Sequence, residues 1–94
     1  MEELLEKMDR YWETGKTVKD EYDGKLYFET DVENQDYDWI MDKLWSYLFI
    51  GSCWNYDTRG YLESHGYKCW IGDGDSFGIL VACISKDNKT MTIG

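Results

Sequence analysis

The sequence predicts an α+β fold of two layers, with two to three helices packed on one face of a small, mainly antiparallel sheet. Segments with apolar residues at helical spacing take turns along the chain with segments in which apolar and polar residues alternate. The chain has 94 residues, of which 43% are hydrophobic, and this is enough for one core. We therefore expect a single domain over residues 1–94.

The N-terminal segment predicts a helix. Apolar residues recur at helical spacing between Leu4 and Trp12, and acidic and basic residues four positions apart support the same structure. Gly15 follows as a stop signal. The pattern predicts a helix over residues 2–14.

Strict alternation over residues 25–33 predicts a half-buried strand. We expect this strand to pair with residues 17–22 across the turn at Asp23-Gly24. Leu26, Phe28, Thr30 and Val32 would form its apolar face. Its opposite face would carry Tyr27, Glu29, Asp31 and Glu33.

The middle of the chain predicts two further helices. Asn34 or Asp36 can cap a helix that ends before Gly51. Its broad apolar stripe consists of Tyr37, Ile40, Met41, Leu44, Trp45 and Leu48. A short third helix is predicted over residues 57–65, closed by Gly66, although Gly60 lowers its propensity by about 1 kcal/mol.

The C-terminal part predicts three strands, over residues 67–71, 77–85 and 90–93. The second of them carries small or apolar residues on both faces, which is typical of a strand inside a sheet. Residues 86–89 predict a hairpin turn in which Asn88 takes the left-handed conformation. We expect Trp12, Trp45 and Trp70 to lie in the core.

The sequence gives little support to catalysis or metal binding. The candidate ligands match no zinc pattern, so we expect buried, reduced thiols in apolar or aromatic surroundings and a histidine at a helix end. These candidates are Cys53, Cys69, Cys83 and His65. The run Gly72-Asp73-Gly74-Asp75 lacks the other ligands of a calcium loop and predicts a polar turn. We therefore expect that the protein is not an enzyme and that it binds neither a metal ion nor a cofactor.

The chain begins without the basic start and long apolar run of a secretory signal, and no stretch approaches the roughly 20 apolar residues of a membrane helix. These features predict a soluble, cytoplasmic protein that does not contact membranes.

The net charge of −9 lies entirely in residues 1–42, where fourteen acidic residues face five basic ones. Residues 43–94 carry five of each sign. Between Asp20 and Asp42, nine acidic residues are opposed only by Lys25. Such crowding disfavours a compact state through self-repulsion, so the asymmetry predicts a cationic partner.

The predicted partner-binding face follows the acidic segment. On an extended strand, alternate carboxylates lie about 6.6 Å apart, comparable to successive phosphates of a nucleic acid. Tyrosine and tryptophan among them are typical interface anchors and can stack on arginine. The predicted contact residues are Tyr27, Glu29, Asp31, Glu33, Asp36, Asp38, Trp39 and Asp42. The simpler alternative is an acidic surface that only keeps the protein in solution.

In length and acidity the chain is similar to phage-encoded DNA-mimic inhibitors, such as anti-restriction and anti-CRISPR proteins. That resemblance implies an inhibitor that covers the nucleic-acid-binding surface of a basic protein, such as a nuclease, and binds no nucleic acid itself. An immunity protein or antitoxin that neutralises a basic toxin is an alternative.

A protein that sequesters a small ligand is another alternative, with a pocket formed by Trp54, Tyr56, Tyr61 and Trp70. An exposed edge strand could also join two copies in a homodimer.

Overall fold

The computed structural model describes residues 1–31, 33–50, 53–72 and 81–93, and within them it confirms the α+β fold. The helices are α1 (Glu2–Thr14), α2 (Gln35–Leu48) and α3 (Tyr56–Ser64). The strands are β1 (Thr17–Lys19), β2 (Leu26–Phe28), β3 (Phe49–Ile50), β4 (Cys53–Trp54), β5 (Lys68–Gly72), β6 (Val81–Lys86) and β7 (Lys89–Ile93). None of the helices in these ranges has the length and apolar run needed to cross a bilayer.

Five strands form the main sheet in the order β1-β2-β7-β6-β5. All neighbours are antiparallel except β2 and β7, which run parallel. The predicted hairpin between β1 and β2 is confirmed, and β6 lies inside the sheet, between β5 and β7, as its apolar composition predicts. Residues 77–80 of that predicted strand lie outside the described residues.

The core lies between the helices and one face of the sheet. Side chains of β6 and β7 alternate across the sheet, so that Ala82, Ile84, Met91 and Ile93 are buried, whereas Thr92 is exposed. The helices contribute Leu4, Leu5, Met8, Tyr11, Trp12, Tyr37, Ile40, Leu44, Leu48 and Leu62 to this core. The helical periodicity of the sequence therefore identified the buried faces of α1 and α2.

The capping and turn residues explain where the elements begin and end. Asn34 and Asn55 each accept backbone N–H bonds through their side-chain oxygens at the start of α2 and α3. Asp87 and Asn88, between β6 and β7, both have positive φ, at 54° and 63°. This is the geometry that a tight two-residue hairpin requires. Gly66 has φ 92° after α3, where a side chain would introduce strain.

The predicted strand over residues 25–33 is much shorter in the structure, where β2 ends at Phe28. The partner strand of β2 is β1, which begins only at Thr17 because α1 ends at Thr14. Thr17 lies opposite Phe28, so the pairing stops there. One further bond joins the Glu29 N–H to the Lys16 carbonyl, and the chain then turns toward the start of α2. Glu29, Asp31 and Glu33 therefore do not form a row of carboxylates on a strand, and Val32 lies outside the described residues.

Two of the three tryptophans predicted to be in the core are exposed. Trp12 is buried, but Trp45 is 43% exposed and Trp70 is 36% exposed. Trp70 lies opposite Cys83 on the sheet face turned away from the helices. Each residue of α2 is rotated by about 100° from the one before it, so Trp45 points to the same side of the helix as Asp38. The buried Leu44 points to a different side.

The three cysteines are free thiols, as expected. Cys69 is buried, which raises its pKa to about 12, and Cys83 is half-buried with a raised pKa for the same reason. Cys53 is exposed, so the expectation of a buried thiol was wrong there, although its neighbours Ile50, Trp54 and Tyr56 are apolar or aromatic as expected. Its exposure follows from its place in β4, which with β3 forms a separate two-stranded sheet that the sequence did not predict. Asp73-Gly74-Asp75 of the predicted polar turn lie outside the described residues.

Trp12 joins α1 to the hairpin between β6 and β7. Its indole N–H donates to the carbonyls of Lys86 and Lys89, at 3.1 and 3.2 Å. In return the Lys89 ammonium donates to the Trp12 carbonyl at 2.6 Å. The ring packs edge-on against Phe28 and Tyr67. The Trp12 side chain thus fixes the end of α1 against β2 and against the hairpin between β6 and β7.

We predict that Trp12→Phe lowers the free energy of unfolding by about 1–3 kcal/mol, because it leaves two partly buried carbonyls with one donor fewer. Urea denaturation measures this loss. The matched control is Trp45→Phe, since the Trp45 indole N–H makes no hydrogen bond to the described residues, and we expect a change below about 1 kcal/mol. Equal losses in the two variants would contradict the role given to the indole N–H.

Candidate functional site

The acidic segment begins in the loop between β1 and β2. Asp20 accepts a hydrogen bond from the Tyr22 N–H at 2.7 Å, and Asp23 accepts one from the Lys25 N–H at 2.8 Å. The other carboxylate oxygen of Asp23 accepts from the Tyr27 hydroxyl at 2.7 Å. Asp20 and Asp23 therefore order the loop with their side chains; Asp23 is exposed to solvent, and Asp20 is half-buried.

The hydrogen bond between Asp23 and Tyr27 changes the acidity of both groups. It favours the ionised carboxylate, so the pKa of Asp23 is lowered, with the Lys25 N–H contributing. It also favours the neutral phenol and, with minor burial and the nearby charge of Asp23, raises the pKa of Tyr27 to about 12. The hydroxyl of Tyr27, a predicted anchor, is thus already engaged within the chain.

The connection from β2 to α2 holds three more of the predicted contact residues. Glu29 and Glu33 are exposed, whereas Asp31 is half-buried. The pKa of Tyr11 is raised to about 12, first by its burial and then by the negative charge of Asp31. Glu29 and Glu33 are therefore available to a partner, and Asp31 lies closer to the protein interior.

At the start of α2, the cations of the chain itself partly neutralise the acidic surface. Lys7 on α1 forms an ion pair with Asp36 at 3.1 Å. The ammonium of Lys7 also lies 5.2 Å from the ring centre of Trp39, and that of Lys43 lies 5.7 Å from the same ring. Trp39 is half-buried, so its predicted use in stacking on a partner arginine would require displacing a lysine.

Asp38 and Asp42 are exposed and four residues apart on α2, so they lie on the same side of the helix. Two like charges at this spacing cost an isolated helix about 0.2–0.5 kcal/mol. Asp38 recovers part of that cost, since it belongs to the first turn, where negative charge is favourable. Asp42 has no such compensation, so helix stability does not explain its place.

The acidic side of α2 continues into exposed apolar residues. Trp45 follows Asp42 by three positions and packs on Phe49, with ring centres 4.7 Å apart. Phe49 in turn contacts Trp54 edge-on at 5.3 Å. Sequence analysis missed this continuity because it assigned Trp45 to the core, although the i, i+4, i+7 spacing of Asp38, Asp42 and Trp45 was visible.

An apolar groove of about 450 Å³ lies beside the β3–β4 hairpin. Its walls include two of the most exposed apolar side chains of the described chain, Ile50 at 66% and Tyr56 at 70%. The lining residues are Ile50, Cys53, Trp54, Asn55, Tyr56 and Asp57. Of the four rings predicted to form a ligand pocket, two line this groove; Tyr61 instead packs against His65 at 4.7 Å, and Trp70 lies on the outer sheet face.

A second cavity of about 470 Å³ lies between α3 and β5 and has charged walls. It is lined by Arg59, Glu63, Gly66, Tyr67, Lys68 and Cys69. Arg59 and Glu63 form an ion pair at 2.7 Å, so these two charges satisfy each other. His65, at the end of α3 as predicted, engages the Tyr61 carbonyl through Nδ1 at 2.9 Å. The Arg59–Glu63 pair and the His65 ring are therefore each engaged within the chain.

The candidate site cannot be assigned by a cluster of metal ligands in the described residues or by similarity to a known protein. Within the described ranges, no three or more His, Cys, Asp or Glu side chains come together as metal ligands. No protein-family model, no curated protein and no solved structure matches the chain. The candidate site is therefore defined by charge, exposure and the apolar groove.

We predict that Tyr27→Phe raises the pKa of Asp23, because the carboxylate loses the hydroxyl that stabilises its ionised form. The side-chain carbon shift of Asp23, followed by NMR from acid to neutral pH, should titrate at a higher midpoint than in the unmodified protein. Tyr22→Phe is the matched control, since Tyr22 is fully exposed and should leave the titration unchanged.

The same bond gives the loop a defined pH dependence. Because the pKa of Asp23 is lowered, its contribution to stability is present above the unfolded value of about 3.9 and is lost as the pH falls through the folded pKa. Exchange protection of the Lys25 amide should therefore decrease at acid pH. Unchanged protection below the folded pKa of Asp23 would contradict this assignment.

Proposed function

We propose that this protein acts by binding a cationic partner protein through its acidic half and thereby excludes nucleic acid from that partner. The observation that supports the proposal is the state of the acidic segment in the folded chain. Of the nine acidic residues from Asp20 to Asp42, only Asp36 forms an ion pair with a described residue. Most of this negative charge therefore remains uncompensated by the chain's own cations.

The direct contacts are proposed to come from the exposed carboxylates of the predicted set, which are Glu29, Glu33, Asp38 and Asp42. The other predicted residues make contacts within the chain. Tyr27 donates to Asp23, Asp31 is half-buried and its carbonyl accepts from the Asn34 N–H, and Lys7 holds Asp36 and Trp39. In this proposal they shape and support the surface that the exposed carboxylates present.

The proposed partner is a nuclease or another nucleic-acid-binding protein with a basic groove, of the kind that phage anti-restriction and anti-CRISPR inhibitors cover. A carboxylate placed where a phosphate would sit competes for the same lysines and arginines. An immunity protein for a basic toxin would use the same contacts. The two differ in the identity of the partner: inhibition of a defence nuclease supports the first, and protection against a toxin encoded beside this protein supports the second.

We predict that neutralising the exposed set with Glu29→Gln, Glu33→Gln, Asp38→Asn and Asp42→Asn weakens partner binding by at least about tenfold, because charge contacts at the interface are lost. The partner is first isolated from nuclease-treated lysate and purified, and affinity is then measured by displacement of labelled DNA or RNA from it. The protein alone should not bind the same nucleic acid, since its dominant surface is negative.

The control variant carries Glu2→Gln, Glu3→Gln, Glu6→Gln and Glu13→Gln, all exposed positions on α1. It changes the net charge by the same amount as the first variant. A similar loss of affinity in both would show that only total charge matters and would contradict a local binding face. Direct binding of DNA or RNA by the unmodified protein would also contradict the proposal.

We further predict that sodium chloride acts with opposite signs on the free protein and on the complex. Screening relieves the mutual repulsion of the acidic half, so the melting temperature should rise modestly up to about 0.5 M salt. The same screening weakens attraction to a cationic groove and should lower affinity, mainly through slower association. Calorimetry and stopped-flow fluorescence measure the two effects, and an affinity independent of salt would rule out the acidic face as the contact surface.

A further inference from the structure

The apolar groove beside the β3–β4 hairpin exposes hydrophobic side chains, Ile50 and Tyr56, that lie outside the core. Ile50 and Tyr56 on its walls are about two-thirds exposed, whereas the core is closed without them. Exposed apolar side chains gathered in one place mark contact surfaces more often than isolated ones do. The groove is therefore a candidate for contact with another molecule.

The groove is continuous with the acidic side of α2. Asp38, Asp42 and Trp45 follow one another along one side of the helix, and about 10 Å of helix axis separates the first from the last. Trp45 packs on Phe49, and Phe49 packs on Trp54, which lines the groove. A line of side chains thus runs from the carboxylates of α2 through Trp45 and Phe49 to the groove, which lies beyond the C-terminal end of the helix.

Charge decides between the possible occupants. A second copy of this chain would bring Asp38 and Asp42 of both copies toward the same interface, where like charges repel. A small ligand would remain largely open to water, since Ile50 and Tyr56 are themselves mostly exposed and binding sites usually cover most of a ligand. A cationic protein segment that also carries apolar side chains satisfies both parts of the surface.

We propose that the groove is the apolar anchor site of the partner interface, and that it receives an apolar side chain lying beside lysine or arginine residues in the partner. This inference rests on the proposed function and narrows it. The carboxylates of Asp38 and Asp42 attract and orient the basic residues, while Ile50, Trp54 and Tyr56 in the groove bury the apolar one. Hydrophobic anchors usually carry most of the affinity of an interface, and the surrounding charges set its rate and specificity.

The test uses three short synthetic peptides of equal length. The first carries a run of lysines next to a Leu-Phe pair, the second replaces that pair with serines, and the third replaces the lysines with glutamines. Both orders of the basic and apolar parts are tested. Affinity is measured by fluorescence anisotropy at low salt, and methyl NMR locates the contact. We expect the first peptide to bind about tenfold more tightly than the second, because the second lacks the Leu-Phe pair that would bury apolar surface in the groove.

The NMR readout has an internal control. The Ile50 methyl resonances should shift on addition of the first peptide, whereas those of Val18, 50% exposed on the edge strand β1, should not. The matched variants are Ile50→Glu and Val18→Glu, two exposed β-branched residues in short strands. Ile50→Glu should abolish the difference between the first and second peptides, and Val18→Glu should preserve it. Tyr56→Ser should give the same loss as Ile50→Glu and serves as a second groove variant.

Each outcome distinguishes the groove from the acidic surface. If the first and second peptides bind equally and Asp38→Asn with Asp42→Asn weakens both, the inference about the groove is wrong and the proposed function stands. If the glutamine peptide binds as tightly as the first, the groove binds apolar segments irrespective of charge. Shifts of Ile50 that depend on protein concentration without peptide would identify a second copy as the occupant. Tight binding of the glutamine peptide, concentration-dependent shifts without peptide, or no binding by any peptide each overturns the inference.

Discussion

The fold depends on the bonds between the Trp12 indole and the hairpin that joins β6 to β7. Helix α1 belongs to the strongly acidic part of the chain, and β6 and β7 belong to the neutral part, so electrostatic attraction does not by itself hold the two together. The indole N–H satisfies two carbonyls of the hairpin, and its ring packs on Phe28 and Tyr67. A second contact reinforces the first: Asp9 accepts from the Tyr67 hydroxyl at 2.6 Å and lies 3.4 Å from the Lys86 ammonium. These contacts between distant parts of the chain hold α1, and with it the surface of α2, in one position.

Lys7, one of the five basic residues of the acidic half, lies where it limits the self-repulsion of that half. Lys7 on α1 contacts both Asp36 and the Trp39 ring, and therefore joins the two helices that carry much of the acidic charge. Lys43 covers Trp39 from a different position on α2. Partly exposed ion pairs of this kind contribute little energy each, but here a single cation serves two partners across a helix interface. The arrangement compensates the charge between the helices and leaves the outer carboxylates exposed, as a surface for a cationic partner requires.

Local patterns predicted the helices, the last hairpin and the reduced state of the cysteines, because periodicity, caps and turn residues act over a few positions. The length of β2 could not be predicted in this way, since it depends on where β1 begins, and β1 can begin only after α1 has ended at Thr14. The acidic segment itself was evident from composition. Which of its members are free was not, because the cation that occupies Asp36 comes from Lys7, 29 residues earlier in the chain. The exposure of Trp45 depends on its angle around α2, which a broad apolar stripe did not resolve.

Helix α2 separates stability from function by face. Its inner face, with Tyr37, Ile40, Leu44 and Leu48, is buried in the core, and the cap at Asn34 fixes where the helix begins. Its outer side runs from carboxylates to an exposed tryptophan; Asp38 and Asp42 take no part in the described core, and Trp45 contacts it through Phe49. Because side chains on opposite sides of one helix do not contact each other, substitutions on the outer side can alter binding while the core remains intact. A rigid helix also holds Asp38, Asp42 and Trp45 at a constant spacing, which favours a partner whose basic and apolar residues have a matching separation.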